Sequence, residues 1–453
     1  MTPHPELDDG SRIAVMGGGP AGSFFSYFLV QLARRAGLDV RLDIYEPRDF
    51  SAIGPKGCNM CGGIVSESLV QSLAAEGINL PPTVVQRGID SYFLHMDVGS
   101  VRIETPLQEM RIAAVHRGAG PRGSKGIPGC RGLDGFLLEL AVANGANLVR
   151  KRVDGIDWPD GRPRLKSQDS SEETYDLLAV ATGVNTPALK LFENSAFGYA
   201  PPRSTKTYIC EIHLGREVIA RHLGTSMHVF LLNIPRLEFA ALIPKGDYVT
   251  LCLLGEDIDK ELIESFLHAP EVRRCLPPGW QFPDDFCHCS PKLSIRGAVN
   301  PFADRVIFLG DCGVTRLYKD GIGAAYRTAK AAAVTAVFEG IGGEDFRRHF
   351  WLACRYLARD NLVGRVVFMV TRQIQLWKFL RRGVWRMVAA EQQEAGSRRR
   401  MSMVLWDTFT GSAPYRSVFL RSLHPAFLGR LLWETLAGLL PRHLPRQQEE
   451  RMP

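Results

Sequence analysis

The stretch SRIAVMGGGPAGSFFSYFLVQLARRAGLDVRLDIYEPRDF, residues 11–50, decides the fold. IAVM is a short β-branched apolar run, SFFSYFLVQLARR has helical spacing with basic residues in its last turns, and glycines separate the two. The reading is strand, glycine turn, helix, strand: one βαβ unit. Gly17, Gly19 and Gly22 complete a GxGxxG pattern that encloses Pro20 and Ala21, and Glu46 ends the next strand 24 residues after Gly22. Gly17 allows the tight turn, Gly19 lets the backbone approach a pyrophosphate, and Gly22 lets helix and strand pack closely. The helix N-terminus faces the negative charge, and Glu46 accepts from a ribose hydroxyl. A dinucleotide with an unmodified ribose is implied.

Outward from this unit, residues 51–64 are rich in Gly and Cys and form no regular element, while SESLVQSLAAEG at 66–77 reads as a short amphipathic helix. DSYFLHMDVGSVRIETP and MRIAAVHR alternate like strands, LDGFLLELAVANG like a helix, and LVRKRVDGIDW and YDLLAVATG like two further strands. Between 200 and 300 the runs TYICEIHL, HVFLLNI, LEFAALIP and YVTLCLLG read as an inserted β-rich domain. RVIFLGD at 305–311 returns to a buried-strand pattern, and DGIGAAYRTAKAAAVTAVFEG after it is an Ala-rich helix. The expected organisation is α/β. A Rossmann-like domain occupies 1–199 and 301–343, a β-rich substrate domain 200–300, and a basic helical region 344–453. A second formal GxGxxG, Gly118 to Gly123, is followed by SKGIPG, which cannot begin a helix, so it is read as a loop and no separate nicotinamide domain is expected.

Of 453 residues, 45% are hydrophobic and 23% charged, which excludes disordered and collagenous classes. Charges interrupt every apolar run before it could span a bilayer, and MTPHPELDDGSR lacks the cationic start of a secretory signal, so a cytoplasmic location is expected. Ten cysteines are too few for a disulfide scaffold and are read as thiols. Charge is uneven: from Glu344 onward there are 19 Lys+Arg against 9 Asp+Glu, a net +10, whereas the first 343 residues carry −3. VVFMVTRQIQLWKFLRRGVWRMV combines aromatic residues with Arg at helical spacing, as an interfacial helix does; peripheral membrane contact through 344–453 and a helical cap on the nucleotide domain are equally weighted readings. Arg398-Arg399-Arg400 is too short, and too isolated from any DNA-binding pattern, to imply nucleic acid.

Gly310-Asp311 closes the RVIFLGD strand, and Gly321 and Gly323 open the next helix. A carboxylate at a strand end binds ribityl or ribose hydroxyls, and a glycine-opened helix N-terminus stabilises an anionic reduced flavin by up to about 2 kcal/mol. This favours FAD over NAD.

Together, GGGPAG with Glu46, the arginine in GCRGLDGFLLEL, VATG at 180–183 and FLGD with DGIG resemble the FAD-binding fold of the hydroxylase-type flavoproteins. Within that group, Cys61-Gly62-Gly63 and the ALIPKGD run at 241–247 look most like the geranylgeranyl reductase family. The resemblance implies Arg131 near the FAD phosphates or ribose, Asp311 on the ribityl chain, and Cys61, Gly62 and Gly63 close to the flavin ring. It also implies reduction of isolated double bonds in a hydrophobic isoprenoid or lipid substrate, with NAD(P)H or ferredoxin as electron donor. Two features depart from it: CGVTRLYKD after Asp311 lacks the proline usual in the hydroxylase pattern, and only LEF precedes ALIP. The tryptophan motif of flavin-dependent halogenases is missing.

Cys58-Asn59-Met60-Cys61 and Cys287-His288-Cys289 offer four soft ligands, but CxC is uncommon in zinc sites and no second CxxC exists, so no metal is assigned. Cys61 is the residue expected nearest the reaction. A flavin monooxygenase and a membrane-docking flavoprotein electron carrier are the alternatives.

Overall fold

The computed structural model describes residues 5–58, 60–105, 112–124, 132–281, 286–394 and 398–439. Two compact units divide the chain. The first is built from Met1–Asn59, Arg117–Thr205 and Lys292–Asn361, the second from Met60–His116, Lys206–Pro291 and Leu362–Pro453.

In the first unit a six-stranded sheet runs in the order Phe302–Ala303, Val306–Phe308, Leu177–Val180, Arg12–Met16, Arg41–Tyr45, Asn147–Val149. The pairs within Val306–Phe308 to Asn147–Val149 are parallel, and only the short edge strand Phe302–Ala303 runs antiparallel. Parallel strands have both faces covered, which is why IAVM and LLAV are continuously apolar rather than alternating. The helix Pro20–Ala36 starts on Gly19 with proline at its first turn and stops at Gly37 in the left-handed conformation, after Arg34 and Arg35. It packs on the helix Gly321–Phe338, where Tyr326 sits edge-on to Phe24 and Phe28, both centroids at 5.6 Å. On the opposite face Met16, Val180 and Phe308 meet Leu165, Phe192 and Tyr199 in one core. Tyr199 stacks on Phe308 with centroids 3.8 Å apart and donates its hydroxyl to the Cys312 carbonyl at 2.8 Å.

The second unit is built on a large mixed sheet in the order Cys287–Cys289, Arg203–His213, Tyr248–Gly255, Leu237–Lys245, Ser226–Phe230, Ser91–Met96, Gly99–Glu104. Period-two alternation gives it two different faces. Cys210, Ile212, Leu242, Val249, Leu251 and Leu253 point to one side and form a core with Leu262 and Phe266 of the helix Lys260–His268. Glu211 opposite Thr250, and Thr250 opposite Ile243, have the other parity and the other face. Beyond 361 the chain is helical: Lys378–Gln393, Arg400–Thr410, Tyr415–Ser422 and Pro425–Ala437. Gly383 lets the first and last of these approach, since a Cβ there would lie 2.1 Å from Thr435 Oγ1. Buried Glu391 caps Arg400–Thr410 by accepting from the Met401 and Ser402 amides, each at 2.9 Å. The Rossmann-like sheet, the β-rich part and the helical C-terminal region expected from the sequence are all present.

Candidate functional site

In the first unit, three backbone segments converge where the sheet meets the starts of the two long helices. Gly17 has φ +104° and a Cβ on it would lie 2.6 Å from the Ala181 carbonyl; a Cβ on Gly22 would lie 1.9 Å from the Gly17 carbonyl. Gly310, at φ +63°, would place a Cβ 2.8 Å from that of Ala21. The glycine turn, the VATG segment and the Gly310 turn therefore pack at backbone distance around the N-terminus of Pro20–Ala36. Glu46, buried at the end of Arg41–Tyr45, accepts from the Gly18 amide at 3.0 Å and from the Arg48 amide at 2.9 Å. The Arg48 side chain also donates to it, Nε at 3.2 Å and a terminal nitrogen at 3.4 Å, so its carboxylate stands beside the glycine turn and a ribose hydroxyl would compete with the long Arg48 contacts.

Asp311 lies in the turn Gly310–Cys312 rather than on a strand. Burial pushes its carboxyl up, with the Thr315 hydroxyl and the Arg117 guanidinium pulling the other way. Gly321 opens its helix beside it: a Cβ there would lie 3.8 Å from Thr315 Oγ1 and 3.9 Å from Asp311 Oδ1. Gly323 makes room for a protein group, since its Cβ would fall 2.2 Å from Asp320 Oδ1. Asp320 takes the left-handed conformation at φ 53° and is held by Arg327 at 2.7 Å and Arg316 at 3.5 Å. Arg131 lies outside the described residues. Among the described residues Arg117 is a guanidinium of this region that the sequence reading missed; its Nε and a terminal nitrogen bind Asp134 at 2.5 and 3.0 Å. Thr182 Oγ1 is buried without a hydrogen-bond partner among the described residues. Close-packed glycines, a helix N-terminus, two carboxylates and an unpaired hydroxyl fit a dinucleotide cofactor.

In the second unit, Cys61-Gly62-Gly63 lies against the polar-bearing sheet face. A Cβ on Gly62 would touch Ile243 at 3.6 Å and Cys252 at 3.9 Å; one on Gly63 would collide with the Val115 carbonyl and stand 2.8 Å from Lys245 Nζ. The Gly63 amide donates to Cys61 Sγ at 3.4 Å. Lys245, the lysine of ALIPKGD, is 1% exposed and its ammonium lies 3.7 Å from Glu211, which accepts from Thr250 Oγ1 at 2.8 Å. His116 belongs to the same group: burial pushes its pKa down to about 4, with Glu211 raising it and Lys245 lowering it. Lys245, Glu211 and His116 were invisible in the sequence because each sits in a run that reads as ordinary strand. Among the described residues Cys58, Cys61, Cys287 and Cys289 join no group close enough to share a metal ion, and none of the nine described cysteines is in a disulfide.

Neither a protein-family model nor a curated protein sequence matches the chain. Solved structures do. A flavoprotein/dehydrogenase from Cytophaga hutchinsonii superposes with TM-score 0.62 at 13% identity, covering 95% of this chain and 100% of that one. p-Nitrophenol 4-monooxygenase from Pseudomonas putida DLL-E4 gives TM-score 0.53 at 12% identity, with coverage of 96% and 100%. The halogenase PltM gives 0.58 at 13% identity, with coverage of 96% and 97%. The fold is that of the flavoproteins.

Because His116 is held neutral in the folded state, the unfolded chain binds more protons between its ordinary value near 6.5 and about 4. Stability is therefore fully present above pH 6.5 and falls as pH drops toward 4, and His116→Gln is expected to flatten that fall in urea titrations. An unchanged pH slope in the variant would contradict a buried neutral His116.

Proposed function

We propose that the chain is an FAD-dependent oxidoreductase that reduces carbon–carbon double bonds in a hydrophobic, isoprenoid- or lipid-like substrate, drawing electrons from NAD(P)H or ferredoxin. The observation that carries the cofactor assignment is the close-packed cradle of Gly17, Gly22 and Gly310, with Gly19 starting the helix and carboxylates Glu46 and Asp311 beside it. Amides at the start of Pro20–Ala36 take the pyrophosphate, Glu46 takes ribose hydroxyls and Asp311 the ribityl chain. FAD, when bound and reduced, supplies hydride to one carbon of the double bond. Reduction also needs a proton for the other carbon. In the second unit the Lys245 ammonium is removed from bulk water, stands 3.7 Å from Glu211 and lies next to the bare backbone of Gly63. Cys61, half-buried two residues away, is the thiol that would border the same substrate.

A second reading is monooxygenation. It is favoured by the fold shared with a monooxygenase and with a peptidyl tryptophan dihydroxylase, the latter at TM-score 0.56 and 16% identity.

No described helix is long and apolar enough to cross a membrane. The helix Trp351–Leu376 nevertheless exposes Leu362, Val366, Met369, Val370 and Leu376, and the helix Pro425–Ala437 exposes Leu432 at 60% and Trp433 at 70%. Arg365 on the first of these helices, and Lys378 and Arg382 at the start of the helix Lys378–Gln393, are also exposed. Apolar faces rimmed by cations match an anionic lipid surface, and we infer peripheral membrane docking through this region.

Three outcomes are expected. The purified chain takes up one FAD, and Asp311→Ala weakens retention at least about tenfold, the loss of one strong polar contact; a colourless chain that takes up no flavin sinks the assignment. With an isoprenoid alkene under argon, turnover proceeds without oxygen and yields the saturated product; product that appears only with oxygen, carrying its label, makes the monooxygenase reading correct. The chain floats with anionic vesicles, and Leu432→Asp with Trp433→Asp lowers partitioning by at least about tenfold; equal flotation of the variant removes the docking face.

A further inference from the structure

On the helix-covered face of the large sheet, two imidazoles and a thiol meet inside an otherwise apolar core. His95 lies on the strand Ser91–Met96 and His228 on Ser226–Phe230, which pair in parallel with Phe230 opposite His95. Cys275 comes from the turn after the short helix Pro270–Arg273 and belongs to the same core as Phe230 and Phe266. The exposures are 6%, 1% and 0%. His95 Nε2 and His228 Nδ1 stand 2.8 Å apart, and Cys275 Sγ is 3.6 Å from the first and 3.5 Å from the second. The far nitrogen of each ring is also held: His95 Nδ1 by Ser100 Oγ at 2.8 Å, and His228 Nε2 by the Leu223 carbonyl at 3.4 Å. Phe93 stacks on His228 and Phe230 on His95, with centroids at 5.1 and 4.8 Å.

We propose that His95, His228 and Cys275 form a metal site that takes one soft monovalent cation, copper(I), three-coordinated by the two imidazole nitrogens and the thiolate sulfur. This is independent of the flavin reading. The arrangement has both parts of a ligand set: three soft or borderline donors converging on one point, and outer partners that fix the orientation of both rings. A metal about 2.0 Å from each nitrogen and about 2.3 Å from sulfur requires sulfur–nitrogen separations close to those present, and requires the two nitrogens to part by roughly 0.5 Å. The Leu223 carbonyl can only accept, so His228 carries its proton on Nε2 and presents a bare Nδ1 to the site. Loading moves the His95 proton from Nε2 to Nδ1, where Ser100 Oγ accepts it, and the Cys275 thiol proton leaves to solvent as the metal–sulfur bond forms. No electron is transferred.

Charge selects the ion. Two neutral imidazoles, one thiolate and a monovalent cation sum to zero, whereas a divalent ion would leave a positive charge in a dry aromatic cage. Among the described residues no fourth His, Cys, Asp or Glu joins the group, and structural zinc is almost always four-coordinate.

The full-length chain, reduced and under argon, is titrated with copper(I) against bicinchoninate, with zinc(II) in a parallel titration. The proposal expects one tightly held copper per chain, displacing zinc, whose X-ray absorption fits two imidazole nitrogens and one sulfur. It also expects loss of that one equivalent in Cys275→Ser and in His228→Gln. A rise in unfolding temperature on loading is expected in the unmodified chain and in neither variant. Copper bound through two or more sulfurs, a stoichiometry unchanged in the folded variants, or zinc displacing copper would overturn it. The absorption measurement on the unmodified chain decides the matter even where a variant fails to fold.

Discussion

The first unit depends on a van der Waals constraint: the Gly17 carbonyl and the first turn of Pro20–Ala36 are so close that a single methyl on Gly22 would sit 1.9 Å from the oxygen. Close approach puts the helix start directly over the ends of the parallel strands, and the Gly310 turn then meets Ala21 in the same place. Glu46, Asp311, Thr182 and the start of Gly321–Phe338 stand near that contact. A side chain at any of these glycines would widen the turn and move the helix amides away from a pyrophosphate, so cofactor binding and packing impose the same residue choice.

The second unit solves a different problem, a sheet covered on one face by its own helices and bearing ionisable side chains on the other. Alternation alone separates Cys210 and Ile212 from Glu211, and Leu251 from Thr250. The ammonium of Lys245 is therefore not an intruder in the apolar core; it projects from the opposite face, where Glu211 offsets part of its desolvation. His95 and His228 are the exception, since they sit among the apolar residues and, among the described residues, have as polar partners only each other, Cys275, a serine and a backbone carbonyl.

The first βαβ unit was legible because its signal is local: apolar run, glycines, helical spacing and an acid, all within 40 residues. The return strand and Ala-rich helix were legible for the same reason. Spacing alone gave the cysteines no assignment, since CxxC and CxC specify no ligand set without the fold. The sequence marked the ALIPKGD run only through a resemblance and assigned Lys245 no role, since an apolar run ending in lysine reads as buried strand and turn, and it was silent about Arg117, which follows an apolar strand as any surface arginine does. The pairing of Ser91–Met96 with Ser226–Phe230 spans 135 residues between Ser91 and Ser226, whose hydroxyls lie 2.6 Å apart. No periodicity encodes that register, and without it His95 and His228 are two ordinary strand histidines.

Burial of these groups is costly, and that cost is informative. An apolar residue at 245 would fill the same space without a charge to desolvate, and phenylalanine or leucine at 95 and 228 would extend the stack already begun by Phe93 and Phe230. Unpaired buried polar groups cost about 1–3 kcal/mol each and buried charges more, against a total stability of about 5–15 kcal/mol. Local rules are broken in this way chiefly where a side chain has chemistry to do. The two violations lie on opposite faces of one sheet and use different chemistry, a paired ammonium on one and soft donors on the other. A single explanation for both would have to act through the strands between them, whereas two separate sites need only the alternation that the strands already provide.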